Sequence, residues 1–353
     1  MGCYIPSTNN SIYAGLEGQF GHVAAQKEML PAVRLQVRHE RERLRRADKT
    51  GTRTLQPAPA GARRITSYAL RTYLAGWGEG TLPVYHPLVL GLMGGSVTSA
   101  SPKQITETNG LVVTFSQPHG LAPGQALSAG REIRFVTASP TSDTVQVNFP
   151  FSPGSLDEMN RSITYAPGDS LPTVSLFDFW RPESAVQRIV RGAAVDRMDV
   201  RLNGDFHTFD FSGPAVDLID SESFVAGEGG LPVFPARPAS NGPLSVVPGN
   251  LGQFWAGTGQ QRLFSVIGAT LTIRNGIMMR ATEFGSLLPR CMSAGVREAT
   301  LDFSLYAEDR AELRALYEAA RTGSPVPVML QLGDTPEEMF AVYMKSVMLQ
   351  TPE

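Results

Sequence analysis

Residues 198–211, MDVRLNGDFHTFDF, decide how the chain is read. Met198, Val200 and Leu202 alternate with Asp199 and Arg201, and beyond Asn203-Gly204 a second alternation sets Phe209 and Phe211 on one face. A period of two places apolar side chains on one side of a strand and polar ones on the other. Asn-Gly tolerates the positive φ angles of a type I′ connection, so the stretch predicts a β-hairpin closed by a two-residue turn. Residues 266–277, VIGATLTIRNGI, repeat the pattern, with Ala269, Leu271 and Ile273 on one face and Asn275-Gly276 behind them. The core is therefore expected to be built from sheets.

The C-terminal third extends this reading. Leu301, Phe303 and Leu305 alternate with Asp302 and Ser304, and Glu308-Asp309 then opens a helix with Leu313, Leu316, Tyr317 and Ala320 on one face. Arg321 and Gly323 suit the end of that helix. Val326, Val328, Leu330 and Leu332 predict a further strand, and 340–349 a last one. On the N-terminal side, Val33, Leu35 and Val37 predict a strand, and 65–74 reads equally as strand or amphipathic helix. The apolar run LVLGLM within 83–95 suits a short buried helix stopped by Gly94-Gly95. One helix packed on sheets gives a mainly β fold, a β-sandwich or barrel.

Three regions stand apart. Residues 1–32 mix small and polar residues with isolated aromatics, which predicts an extended N-terminal arm. Residues 97–155 hold short strand-like pieces at 111–116, 132–138 and 144–149, separated by turns, and read as a small all-β module inserted into a core formed by 33–96 and 156–353. Residues 227–252, within a long loop over 217–262, are too rich in Gly and Pro for regular structure and too apolar for a solvated linker, which points to contacts with a partner.

Composition sets bounds on function. The chain has 353 residues, 42% of them hydrophobic and 18% charged, with 35 Gly and 26 Pro, which favours strands joined by many turns. A formal net charge of -2 argues against a protein whose main task is gripping nucleic-acid phosphate. Arg38, Arg41, Arg43, Arg45, Arg46, Lys49 and Arg53 do crowd together, but Glu40, Glu42 and Asp48 interleave, and a solvated or subunit-facing strand is the simpler reading. Cys3 and Cys291 are too few and too far apart for a disulfide framework or a cysteine-rich zinc site. No secretory signal and no membrane-length apolar run is visible, and Pro6 disfavours N-myristoylation at Gly2.

Motifs for chemistry are sparse. GxxxxGK[ST], HExxH and GxSxG are absent, and Gly257-Thr-Gly-Gln-Gln-Arg lacks the third glycine of a dinucleotide fingerprint. Asp196, Asp199, Asp205 and Asp210 could hold an acid/base pair, with His207 as a base, but solvent-facing alternation accounts for them more simply. His119 sits in a Pro-His-Gly turn, where turn punctuation is the simpler reading than a ligand role. No catalytic residue, cofactor site or metal site is assigned.

The order of features resembles the tail tube (major tail) proteins of long-tailed bacteriophages. The stretches that carry the resemblance are 46–53 (RADKTGTR), 64–74 (RITSYALRTYL), 87–95 (PLVLGLMGG), the Asn203-Gly204 hairpin, 271–276 (LTIRNG) and 295–305 (GVREATLDFSL) with the helix and strands that follow. The resemblance implies a β-barrel-like subunit, not an enzyme, that pairs edge strands with its neighbours in a hexameric ring. Rings would stack into a tube that conducts double-stranded genome DNA without binding it specifically. It further implies a place in the virion tail after assembly in the bacterial cytoplasm, with the tape measure, tail terminator and baseplate or tail tip proteins as partners. On that reading Tyr4, Tyr13 and Phe20 of the arm, and Leu231, Val233, Phe234, Leu244 and Val246 of the long loop, are the candidate contacts between subunits or rings. Other expectations that the residues leave open are an all-β baseplate or fibre-associated protein binding a host surface glycan, and a hydrolase on a β-sandwich.

Overall fold

The structure is a computed structural model that describes residues 5–42, 49, 51–54, 63–77, 82–154, 156–239, 244–257 and 262–351. It is mainly β. The central element is a six-stranded sheet with the spatial order Glu298–Leu305, Val266–Arg274, Arg197–Arg201, Thr208–Ala215, Arg64–Tyr73, Ala32–Arg41, in which every neighbouring pair is antiparallel. Met198 opposite Phe211 and Ile273, and Val200 opposite Phe209 and Leu271, form adjacent apolar rows on its inner face. All six of these side chains are buried.

That face shares one core with two other sheets. A five-stranded sheet, ordered Asp217–Asp220, Arg188–Ala193, Val174–Trp180, Asn10–Leu16, Glu28–Met29, contributes Ile12, Leu176 and Val190, and a three-stranded sheet of Gly252–Ala256, Val326–Leu332 and Phe340–Val347 contributes Phe254, Val328 and Leu330. Helix α1, His86–Met93, lies inside this core with Leu88 and Leu92 fully buried. Gly94 ends it at φ 69°, with its N–H donating to Leu90 O, a left-handed cap that a residue without Cβ adopts at little cost. Helix α2, Ala311–Thr322, is peripheral: Leu316 is buried and Leu313 packs on the core, whereas Tyr317 turns to solvent, so the contact face is narrower than the sequence spacing suggests.

Residues 1–32 do not behave as an arm where they are described. Asn10–Leu16 is paired on both sides, with Val174–Trp180 and Glu28–Met29, and Tyr13 is buried. Glu17 fixes the turn that follows. Its buried carboxylate accepts from the Gly21 and Gly192 N–H groups and from the hydroxyls of Thr173 and Ser175, all at 2.7–2.9 Å. A glycine is required at position 15, since a Cβ there would lie 2.1 Å from Gln26 O.

Two turns also differ from expectation. The hairpin of 198–211 forms, but its last pair is Arg201 with Thr208, so the connection is 202–207 rather than Asn203-Gly204 alone. Other segments hold it open: Leu202 N–H donates to Ala269 O, Asn203 N–H to Gly249 O and His207 N–H to Val247 O. Asn203 has the expected positive φ of 62°. Asn275 is likewise no hairpin turn, because its buried amide is spent on Leu92 O and Val195 O.

The piece read as 97–155 is a closed six-stranded barrel with its own core, whose strands run from Lys103–Asn109 to Glu158–Asn160. Gly94–Ala100 and Ser162–Pro167 pair antiparallel as a two-stranded neck between it and the rest. The barrel leans on the three-stranded sheet, where Phe149 packs with Trp255 and Met329, and Gln331 donates to Arg131 O while accepting from Ile133 N–H.

Candidate functional site

The outer face of the six-stranded sheet is predominantly polar. One row across it reads Thr300, Thr272, Asp199, Asp210, Arg71, Arg34, and a second reads Glu298, Arg274, Arg197, Ser212, Ala69, Gln36. Alternation produces this directly, because the partners of the buried Met198, Val200, Phe209, Phe211 and Leu271 must point away from the core. Carboxylates and guanidinium groups then neutralise one another in place. Arg71 holds Asp210 through two bonds of 2.7 and 2.9 Å, and Arg197 holds Asp199 at 2.9 Å. Thr272 Oγ1 donates to Asp199 at 2.5 Å, Arg201 lies 3.8 Å from Asp210, and Arg38 lies 2.9 Å from Glu40. These hydrogen bonds to carboxylates raise Arg71 and Arg197 above the ordinary arginine range. Exposed ion pairs add little stability. Their effect here is to leave a wet, charge-paired surface.

Among the described residues, both borders of this sheet are unpaired. Ala32–Arg41 and Glu298–Leu305 each have one neighbour, so a ten-residue and an eight-residue edge stand open at opposite sides. Five successive antiparallel pairings separate them, so the two edges run in opposite directions. The ladder also shows which groups face outward. Glu42 N–H donates to Arg63 O at 2.8 Å, and alternation from there turns the N–H groups of 34, 36, 38 and 40 inward to the neighbouring strand and those of 35, 37, 39 and 41 outward. Long open edges are pairing templates unless something covers them.

The residues expected to make contacts between subunits fall elsewhere. Tyr13 packs with Phe177, Phe179 and Ile189 on the second face of the five-stranded sheet, and Leu231 and Phe234 of the long loop cover that cluster. Leu244 packs on the main core, Val246 bridges to Ala75, Phe20 is half-buried, Val233 is exposed, and Tyr4 lies outside the described residues. The 217–262 region is not one loop, since Asp217–Asp220 and Gly252–Ala256 are strands within sheets. Of the cationic cluster, Arg38 and Arg41 lie on the open Ala32–Arg41 edge, and Arg43, Arg45 and Arg46 lie outside the described residues.

Of the groups considered for acid/base work, His207, Asp196, Asp199 and Asp210 have structural partners. His207 is buried and its Nε2–H donates to Leu251 O at 2.7 Å; burial lowers its pKa, which favours the neutral ring. Asp196 accepts from Ile277 N–H at 2.6 Å, and Asp199 and Asp210 are engaged by arginines as above. His119 closes its turn by donating from Nε2 to Thr141 O and accepting at Nδ1 from Leu121 N–H. Among the described residues no group of three or more His, Cys, Asp and Glu is placed to hold a metal ion, and no helix is long and apolar enough to cross a membrane. No protein-family model matches the chain, and no curated protein matches its sequence.

Proposed function

We propose that this chain is a structural subunit that closes into a ring through its six-stranded sheet, as a tail tube protein does, without catalysis. The observation that carries the reading is the pair of edges left open among the described residues, Ala32–Arg41 and Glu298–Leu305, on opposite borders of one sheet and antiparallel to each other. Copies related by rotation about an axis along the strands would join edge to edge in antiparallel register, and the contact would be heterologous, which closes a ring. The polar face would then form one wall of a continuous barrel, and facing inward it would line a lumen suited to passing DNA without holding it. A hexamer, stacking into a tube in the virion tail, and the tape measure, terminator and tip partners belong to the same reading and rest on the sequence resemblance.

Electron microscopy and light scattering of the purified protein across a concentration series test this. Rings or hollow tubes are expected. Val37→Pro removes an outward N–H while sparing the bonds to Arg64–Tyr73, so it should leave thermal unfolding within about 1 kcal/mol of wild type and reduce assembly at least tenfold. Rings that persist unchanged in Val37→Pro would sink edge pairing as the mode of assembly.

A further inference from the structure

The register assigns the connections of the six-stranded sheet to its two ends. Glu298, Arg274 and Arg197 stand level near the first end, where the chain runs on into 275–297, 194–196 and the stretch that joins Arg41 to Arg64. Thr270, Arg201, Thr208 and Tyr73 stand level at the second, which carries 202–207, 262–265 and the approach to α2, 306–314. Residues 275–297 lie across the first end. After a small ladder between Met278–Met279 and Met292–Ser293, Leu287 O accepts from Arg64 N–H at 3.0 Å, just beyond the point where the pairing of Thr208–Ala215 stops at Ala215 and Thr66.

Both ends hold large apolar side chains in water. Met278, Phe284, Leu287 and Val296 are exposed at the first end, Phe284 completely, and Phe206, Phe264, Ile267 and Tyr306 are exposed at the second. Apolar side chains gathered in this way mark contact surfaces. The ends also differ in sign. Over 42–63, 194–196 and 275–297 the described residues include six basic and three acidic ones, a balance of +3, whereas 202–207, 262–265 and 306–314 include three basic and four acidic ones, a balance of -1. At the first end Arg280 and Arg290 share the single carboxylate of Glu283. At the second, Glu308 and Asp309 are matched by Arg310 and Arg314, and Asp205 and Glu312 supply the excess.

We propose that these two ends dock on each other between copies of the chain, the 275–297 end of one copy seated on the Phe264 and Tyr306 end of the next. Charge identifies the occupant. Two copies meeting at their first ends would set +3 against +3, whereas the second end offers exposed rings and the opposite sign. Because the ends lie at opposite limits of the same strands, the contact is heterologous and repeats along the strand direction without closing. Edge pairing runs across the strands and is a separate contact. The inference rests on the reading above for self-assembly, and gives the stacking in that reading a surface of its own.

Phe284→Glu with Val296→Glu blocks the first end, and Phe264→Arg with Tyr306→Arg blocks the second. All four side chains are solvated, so monomer melting should be unchanged. Light scattering and electron microscopy across a concentration series should find each variant alone stopped at a species of fixed mass, about tenfold or more lighter than the wild-type particles. Mixed in equal amounts, the two variants should pair once and double that mass, since each supplies the end that the other lacks. Elongation or pairing by either variant alone, or no pairing in the mixture, overturns the contact. Closed rings from each variant keep the edge reading whatever the mixture does. Monomers that still pair on mixing keep the end contact and remove the edge reading, and a wild-type protein that stays monomeric overturns both.

Discussion

Arg134 is the largest fully buried side chain among the described residues, and the way it is satisfied fastens the barrel to the three-stranded sheet. Its guanidinium meets Glu132 at 3.1 Å, donates to Pro150 O at 2.9 Å, Ile133 O at 2.8 Å and Gln253 Oε1 at 3.3 Å, and lies 4.6 Å from the Trp255 ring. Burial dominates its titration and brings its pKa down to about 10, with Glu132 opposing the shift. For Glu132 burial is the largest single influence and pushes upward, but Arg134, Ser152 and Gln253 together hold the carboxyl below its ordinary range. A depressed folded-state pKa means that the stability from this group is fully present above its unfolded value of about 4.3 and is lost as the pH falls through the folded value. Glu132→Gln should therefore flatten the acid limb of a stability-versus-pH curve. At neutral pH it should cost about 3–5 kcal/mol in urea unfolding, because a buried guanidinium loses its counter-charge. Glu132→Leu with Arg134→Met should restore most of that loss, since removing both charges leaves neither one buried alone. A double variant less stable than Glu132→Gln would show that the bonds to Pro150 and Ile133, rather than the ion pair, hold the joint.

The loop around Leu231 and Phe234 makes its contribution within the subunit. It covers Tyr13, Phe177 and Phe179, so Val174–Trp180 is buried on both faces. Leu231→Ser with Phe234→Ser should lower unfolding free energy by about 2–4 kcal/mol while assembly at a temperature where the fold survives stays unchanged; a selective loss of assembly would return the loop to an interface. The difference from the sequence reading has a physical origin. Apolar content showed that the segment must be covered, but composition does not say by which surface, and the segment that needs it, VSLFDFW at 174–180, carries too little alternation to signal a strand wet on one side. Strands wet on one face were legible: 197–201, 208–215, 266–274 and 298–305 all follow the alternation of their residues. Pairings between segments far apart in sequence were not, which is why Asn10–Leu16 reads as an arm until Val174–Trp180 is placed beside it. The polar face was visible only as solvent-facing alternation, because its charge pairing depends on the register that brings Arg71 opposite Asp210.

At the scale of the assembled molecule the charge of that face decides what a lumen would do. Its basic residues are Arg34, Arg38, Arg71, Arg197, Arg201 and Arg274 and its acidic ones Glu40, Asp199, Asp210, Glu298 and Asp302, six against five, a balance of +1 per subunit. Affinity for duplex DNA scales with the number of phosphates a protein neutralises, and arginines already held by carboxylates release few counterions. Assembled wild-type protein is therefore expected to show no retention of a short labelled duplex by fluorescence anisotropy at about 50 mM salt and above. Asp199→Asn with Asp210→Asn frees Arg71 and Arg197 and moves the face from +1 to +3, by the loss of two of the five acids. Repeated around a ring, that change should create salt-sensitive retention, present at about 50 mM and lost by about 200 mM, where contacts to several phosphates weaken by orders of magnitude. Tight binding by the wild-type particle at the higher salt would contradict a face built to let DNA slide past. An unaltered duplex signal in the double variant, with assembly verified in the same sample, would place this face on the outside of the particle and reverse the orientation of the sheet in the ring.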